Sequence, residues 1–552
     1  MHRFTLTLTL GLFLAATPAL GVAPPNIVVV IADDVGIDQL SCFSEACGGL
    51  CTPCGDFPNT PNICNRLTEG GVLFRNAWAN PSCSPTRSTV LTGRYGFRTG
   101  VRVAGNLLPC TEVTIPEVLK DSANISLGYE SALIGKWHLS GMGNCTTGLM
   151  NCAGVPEGSP LVTPATQGFD HFAGTPANIG NYNSWLRWED SGDCPIATCA
   201  AGGGIPECVT QPYATIVNVN DALAWLTNPV PRTEPWFLYL AFNAPHSPYH
   251  KPPPDCPGGP CYGQDLDNVE CALTPRLCYQ AMVETLDHEL GRLLDILPLN
   301  TVVVFLGDNG SPGENTPNGG VACVAHADSA KFDVWEGGIR VPLIISAPSL
   351  VTVPDAASDV LVNISDVFKT VLDLAQASIP PSIQHDSVSL VPNLIDPSAT
   401  HRNYVYSETI GHRVVRDAQY KLIPEGTLYT SGVYLFDLVA NPVEDPNFDL
   451  YLDEDPDLTP VEQAHFDDLN EYLDFLLGEI PACPTVRPCA PSGTCSPNPL
   501  QCTTVNTGMT ACVQDGQLMQ CAPGQTVRRK NCNCKAKGGS LCVQQNQTWF
   551  CQ

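Results

Sequence analysis

Five short apolar runs constrain this chain more than anything else in it: NIVVVIA from Asn26, ESALIG from Glu130, WFLYLAF from Trp236, TVVVFL from Thr301 and PLIISA from Pro342. Each is apolar at successive positions rather than at alternate ones. Side chains of a strand point alternately to opposite faces, so such a run suits a parallel sheet with both faces covered by helices. Helical patterns lie between the runs: TIPEVLKDS from Thr114, NVNDALAWL from Asn218, and YQAMVETLDHELGRLLDIL from Tyr279. The last has apolar residues at Met282, Leu286, Leu290, Leu293 and Leu297. This alternation predicts an α/β sandwich with a mostly parallel central sheet. Loops rich in Gly, Pro and Cys, such as KPPPDCPGGPCYG from Lys251, interrupt it and are expected to owe their shape to disulfides.

A different pattern begins near residue 400. YVYSETI, HRVVRDAQYKLI and GVYLFDL are alternating, aromatic strand candidates, which predict a smaller antiparallel sheet. TPVEQAHFDDLNEYLDFLL then reads as a closing helix, with Thr459 as cap, Pro460 in its first position and Gln463 nearby. From Cys483 the chain repeats with a 30-residue period, so that CVQDGQLMQC matches CVQQNQTWFC. Each half reads as a hairpin between cysteines, turning at Asp515-Gly516 and Gln545-Asn546, and so small a core needs disulfide staples. The expected units are a large α/β domain over 22–395, an antiparallel subdomain over 396–480 and the Cys-rich tail over 483–552.

The first 21 residues have a basic start, an apolar stretch from Phe4 to about Ala16, and small residues at Ala19 and Gly21. They read as a cleaved signal peptide, and the apolar run is short for a membrane span. A secreted or periplasmic protein without a stable membrane anchor is therefore expected. Export suits 27 cysteines, since disulfides persist outside the cytosol. The count is odd. Ten cysteines lie in the tail and 17 before it, so setting one body cysteine aside leaves both parts able to pair internally. The formal charge of -28 argues against nucleic acid as a partner. The tail differs: Arg487, Arg528, Arg529, Lys530, Lys535 and Lys537 face Asp515 alone.

Four of the apolar runs end in polar residues. The first leads into Asp33-Asp34, the second into Lys136 and His138, the third into His246 and His250, and the fourth into Asp308-Asn309. Ligands of open α/β sheets bind beyond the carboxyl ends of strands, so these ends are expected to converge. Taken singly, each has a duller explanation as a cap, a turn or a solvated histidine. Jointly, three carboxylates and an amide make an all-oxygen site that favours Ca²⁺ over Mg²⁺, which keeps more of its waters, and over Zn²⁺. Cys83 opens CSPTRSTVLTGR, where Ser82 or Ser84 suits a helix cap and Pro85 the first turn. That puts Cys83 at an anion-attracting helix N-terminus with Arg87 one turn on. A structural disulfide or a low-pKa thiol nucleophile remain open readings of Cys83.

The residues around Cys83 resemble the signature of the type I sulfatases, the formylglycine-dependent branch of the alkaline phosphatase superfamily. CSPTR followed by LTGR is similar to their CxPxR signature, and the likeness extends through VVVIADDVG, GKWHL, APHSPY, VVVFLGDNG and KFDVWEGGIRVP to YLFDLVANPVEDPNF, over residues 25–450. The resemblance implies an alkaline phosphatase-like fold and a sulfuric ester hydrolase. It implies that Cys83 is oxidised to formylglycine (3-oxoalanine) by a formylglycine-generating enzyme, which would explain the odd thiol. It also implies metal ligation by Asp33, Asp34, Asp308, Asn309 and the modified Cys83. Arg87 and Lys136 would hold the formylglycine, His138 would take a proton from its second hydroxyl, and His246 and Lys331 would bind sulfate and assist the leaving group. Such a hydrated aldehyde attacks sulfur with one hydroxyl and expels sulfate with the other. Two positions depart from the family pattern: Thr86 stands where many relatives have Ser, and Gly307 where they often have Ser. Asn309 also begins a glycosylation sequon that a metal-bound amide could not use, whereas Asn124, Asn144, Asn363 and Asn546 are freer sequons.

The expected substrate is a sulfate ester, with a sulfated polysaccharide held by the basic tail near Trp549 as one form of it. A phosphonate or phosphodiester hydrolase using the same formylglycine is the nearest alternative. A non-catalytic binding protein is the alternative from another class.

Overall fold

The computed structural model describes residues 24–45, 57–140, 163–190, 207–209, 212–227, 232, 234–313, 330–424, 432–451 and 458–478, together with the tail strands within 500–551. The stretch over 1–21 read as a signal peptide lies outside these residues, as do the expected tail turn residues Asp515, Gly516 and Asn546.

The strands in chain order are β1 (Asn26–Ala32), β2 (Gly71–Trp78), β3 (Glu130–Lys136), β4 (His171–Thr175), β5 (Trp185–Asp190), β6 (Glu207–Val209), β7 (Trp236–Ala241), β8 (Asp255–Cys256), β9 (Gly259–Pro260), β10 (Thr301–Gly307), β11 (Leu343–Ser346) and β12 (Ala356–Asn363). All but the small β8–β9 hairpin join one ten-stranded sheet in the order β12-β2-β11-β10-β1-β7-β3-β4-β5-β6. At its centre β10, β1, β7, β3 and β4 run parallel. The prediction for PLIISA is corrected in one respect: β11 is antiparallel to β10, because the chain returns to the sheet from the strand-end side where it has just crossed the site.

The non-alternating sequence of β1 has the expected cause. Val28 and Val30 enter one core with the helices Ala214–Thr227 and Pro275–Leu294. Ile27, Val29 and Ile31 enter a second core on the opposite face, with Val90 and Leu91 of the Cys83–Thr92 helix and Phe368 and Val371 of the Asp366–Leu374 helix. Truncating any of these buried aliphatics to Ala is worth about 2–5 kcal/mol. Met282, Leu286, Leu290 and Leu293 are buried as their spacing requires.

The second sheet holds four antiparallel strands, β13 (Val405–Glu408), β14 (Arg413–Arg416), β15 (Tyr420–Ile423) and β16 (Tyr434–Asp437), so HRVVRDAQYKLI supplies two strands. One face packs on Trp78, Val334, Trp335 and Ile339 of the larger unit. The other is covered by Leu469, Leu473 and Leu476 of the Pro460–Leu477 helix. Thr459 caps that helix in a capping box whose partner is Glu462, not the neighbouring Gln463. Lys421 of β15 reaches both Glu336, in the short Glu336–Ile339 helix of the larger unit, and Glu444 in a fully buried cluster. In the tail, Gln514 pairs with Gln517 and Gln545 with Thr548.

Disulfides join Cys42 to Cys64, Cys256 to Cys261 and Cys271 to Cys278. The second of these closes the β8–β9 hairpin in the loop that starts at Lys251. Among the described residues the free thiols are Cys83, which is buried, and Cys110, which is exposed and which parity did not single out. No helix among the described residues is long and apolar enough to cross a membrane.

Candidate active site

Because β10, β1, β7 and β3 are neighbours with one direction, their carboxyl ends deliver Asp308, Asp33-Asp34, His246 and Lys136 to one place. Cys83 arrives from the other side, as the first residue of a helix that begins after Ser82 and stops at Gly93, whose left-handed φ of 67° ends it. Ser82 makes no side-chain cap, and the Ser84 hydroxyl donates instead to the His138 carbonyl at 2.7 Å. The first turn of this helix is thereby pinned to the segment after β3. Thr86 keeps the hydroxyl that Ser would bring, accepting from Asn80 N at 3.0 Å and donating to Asn80 O at 3.2 Å. Gly307 has a local reason as well, since a Cβ there would lie 2.1 Å from the Val35 carbonyl oxygen.

The Cys83 sulfur sits between opposite charges, with Asp33 Oδ1 at 3.4 Å and Lys331 Nζ at 3.6 Å. Lys331 also bonds to Asp34 Oδ1, and Lys136 to Asp33 Oδ2. Arg87 places Nε and Nη2 at 3.1 and 2.8 Å from Asp308 Oδ2, and Nη1 at 2.9 Å from the Lys136 carbonyl. All of these groups are buried. Burial by itself would raise the carboxyl pKa of Asp33, but Lys136 and His246 outweigh it and hold the group below its usual range. For Asp34 burial is likewise overcome, by Lys331 and His246. The Cys83 thiol goes the other way. Burial and then Asp33 push it well above its ordinary value, against the pull of Lys136 and Lys331. The protein groups around it therefore hold a thiol rather than the low-pKa thiolate that was an open reading.

Asp33, Asp34, Cys83 and His246 offer ligand atoms within 4.8 Å of one another. Asn309 donates its amide nitrogen to Asp34 Oδ1 and to the Gly310 carbonyl, both at 2.9 Å, and leaves Oδ1 buried with no protein donor. An unpartnered buried acceptor beside buried carboxylates fits a cation. Asp308 is one step removed: Oδ2 takes Arg87, and Oδ1 accepts from Asp34 N at 3.1 Å.

Two histidines have distinct settings. His246 Nδ1 lies 2.6 Å from the Ser247 carbonyl, which can only accept, so Nδ1 carries the hydrogen. The neutral ring therefore turns the lone pair of Nε2 toward Asn178 Nδ2 at 3.3 Å, with Asp34 Oδ2 at 3.9 Å. Burial, countered by Asp34, keeps its pKa low. His138 adopts a left-handed backbone, with φ 58°, and its Nδ1 is buried without a partner. Burial, then Lys136 and Arg87, hold it well below the usual histidine range. His250 is not part of the carboxylate cluster; its Nδ1 donates to Pro248 O at 2.8 Å and its ring lies against Tyr182.

Three supporting residues escaped the sequence reading. Tyr279 OH donates to the Asp34 carbonyl at 2.7 Å, holding a residue whose φ of 69° lies in the left-handed region, which aspartate tolerates better than most side chains. Ser311 accepts from Gly36 N at 3.1 Å and donates to Asp38 Oδ1 at 2.8 Å, fixing the same turn. Asn178 contacts His246 from the loop after β4. Tyr279 was legible only as one residue of an amphipathic helix, and Asn178 had no local signal. Two sequons are corrected. Asn124 and Asn363 are buried, and their amide nitrogens donate to Val118 O and Ser378 O, and to Tyr406 O, so neither is free to accept a glycan. Asn144 and Asn546 lie outside the described residues.

Residues 25–377 match the family model described as Sulfatase, and residues 328–471 one described as N-sulphoglucosamine sulphohydrolase, C-terminal. N-acetylgalactosamine-6-sulfatase of Canis lupus familiaris is 28% identical over 435 residues, covering 72% of this chain and 71% of its own. Arylsulfatase A of Homo sapiens is 28% identical over 513 residues, covering 86% and 88%. A solved structure described as a complex with its substrate D-glucosamine-2-N,6-O-disulfate superposes with a TM-score of 0.56 at 20% identity, covering 83% of this chain and 98% of that one.

Proposed function

The chain belongs to the sulfatase family and is a sulfuric ester hydrolase, and from that premise we propose that it cleaves a sulfate monoester on a carbohydrate, with residue 83 as formylglycine and Ca²⁺ beside it. The observation that carries the reading is the position of Cys83 Sγ, unpaired and buried between Asp33 Oδ1 and Lys331 Nζ. The carbohydrate assignment is supported by relatives and neighbours whose names or ligands are sulfated amino sugars.

The residues present fit both groups. Asp33, Asp34, Asp308, Asn309 through its unpartnered Oδ1, and residue 83 would hold the cation, which when bound supplies positive charge to sulfate oxygens. Formylglycine, when formed at residue 83, supplies a nucleophilic hydroxyl and a second hydroxyl for sulfate release. The chain's own side chains do the rest. Lys331 faces the reacting position and neutralises sulfate oxygen charge. Lys136 and Arg87 bind the carboxylates of Asp33 and Asp308 and fix their positions, Arg87 also tethering the Lys136 carbonyl. His246, fixed through Nδ1, turns Nε2 toward the departing alcohol and donates to it in the imidazolium form, which Asp34 Oδ2 at 3.9 Å favours. His138, kept neutral by burial, is assigned the proton released at residue 83.

We assign the leader over 1–21 to export, the units to 22–395 and 396–480, and the basic tail over 483–552 to holding an anionic polymer near an otherwise acidic enzyme. The test is twofold. Mass spectrometry of the Cys83 peptide after co-expression with a formylglycine-generating enzyme should show the aldehyde, and the protein should then release sulfate from sulfated sugars. An intact thiol in a fully active protein, or a strong preference for an aryl phosphodiester over an aryl sulfate, overturns the reading.

A further inference from the structure

Phe332 follows the lysine that faces Cys83, and it is unusual in two ways. Its φ is 80°, a left-handed conformation that is sterically costly for a bulky side chain and that glycine would adopt freely. The loop enforces it: Lys331 N donates to Ser311 O at 3.0 Å, Phe332 N to Pro81 O at 2.8 Å and Asp333 N to Ala330 O at 3.2 Å. The ring gains no burial in return. Phe332 is 54% exposed, whereas Trp335, three residues on in the same loop, is 6% exposed and packs against Tyr434 and Phe436. Strained backbone that presents a large apolar side chain to solvent contributes nothing to folding, and such strain concentrates at ligand sites.

The location gives the strain a purpose. The Phe332 ring centroid is 5.0 Å from Lys331 Nζ, and Lys331 Nζ is 3.6 Å from Cys83 Sγ. A sulfate group seated at Lys331 thus leaves its alcohol at the rim where this ring stands. We propose that Phe332 is a specificity-determining residue that lays its face against the six-membered ring bearing the sulfate. The inference rests on the sulfatase reading and adds what that reading lacks, a requirement on the alcohol. An aromatic face suits the apolar face of a pyranose or an aryl ring, and offers little to a short flexible chain.

The test separates the two readings by measuring binding apart from turnover. In a Cys83→Ser background, which cannot be converted to the aldehyde, isothermal titration is carried out with N-acetylglucosamine 6-sulfate, 4-nitrocatechol sulfate and propyl sulfate. Phe332→Ala should weaken the ring esters about five- to tenfold and leave propyl sulfate unchanged, with Phe332→Trp restoring the ring esters. A loss on one ring ester alone identifies the ring chemistry, sugar or aryl, that the platform takes. No loss on either ring ester, or an equal loss on propyl sulfate, overturns the inference and leaves Phe332 as packing for Lys331. Thermal unfolding of each variant controls for folding. Failure of the modified enzyme to release sulfate from any ester would sink the catalytic reading and would not alter these affinities.

Discussion

Lys331 holds Asp34 and Cys83 at once, its ammonium bonded to the Asp34 carboxylate and 3.6 Å from the Cys83 sulfur. One cation thereby links the carboxylate cluster to the reacting position. Lys331→Met should lower kcat/KM for an aryl sulfate at least about a hundredfold, the scale of losing one preorganised charge at a transition state. Lys331→Arg should not restore it, because a planar guanidinium does not fit a pocket shaped for a point charge. Steady-state sulfate release, with residue 83 equally modified in every variant, is the measurement.

The proposed cation ligands Asp33, Asp34 and Asp308 are buried, and Asn309 Oδ1 beside them has no protein donor. Chelation with EGTA should lower the melting temperature and activity together, and Ca²⁺ should restore both more fully than Mg²⁺. A cation at a hundred times its Kd stabilises by about 2.7 kcal/mol. Asn309→Ala should shrink the Ca²⁺-dependent shift seen by calorimetry.

Glu289 is buried in the Pro275–Leu294 helix with one oxygen on Arg292 and the other, Oε1, without a partner. Burial, only partly offset by Arg292, pushes its carboxyl up to about 7. The folded state therefore holds this proton more tightly than the unfolded chain, so the group's contribution to stability falls as pH rises from about 4.5 through 7. Glu289→Gln should gain about 1–3 kcal/mol relative to the parent on going from pH 5 to pH 8. Denaturant unfolding at the two pH values checks it.

Expression in a glycosylating host should leave Asn124 and Asn363 bare, since a glycan on either amide would break hydrogen bonds to Ser378 O or Tyr406 O in the interior. Peptide mass spectrometry with and without deglycosylation reads this directly. Occupancy at Asn363 would mean that the hydrogen bond from Asn363 of β12 to Tyr406 O of β13 does not form.

The central strands were legible because parallel strands buried on both faces must be apolar at every position, as β1 is. β2 and β12 were not, because Arg75, Asn76, Ser358 and Asp359 break their apolar pattern. β12 is the edge strand of the sheet and β2 its neighbour, and there Arg75 and Asp359 pair with each other at the surface, 3.2 Å apart. The direction of β11 was equally hidden, since strand polarity depends on how the chain returns and not on the residues of the strand.

The chemistry of the site was written locally: acids after β1 and β10, Lys136 and His138 after β3, His246 after β7, and Cys83 at a helix start. Those residue types sit at strand and helix ends because exposed backbone groups and carboxyl-end crevices demand polar termination there. Tertiary structure alone decided which atoms meet. Strand order set Asp308 beside Asp34, a helix from the opposite face set Cys83 between Asp33 and Lys331, a loop set Asn178 on His246, and the Pro275–Leu294 helix set Tyr279 under Asp34. Such contacts join residues up to hundreds of positions apart, and only the packing of the two faces onto one sheet brings them within bonding distance.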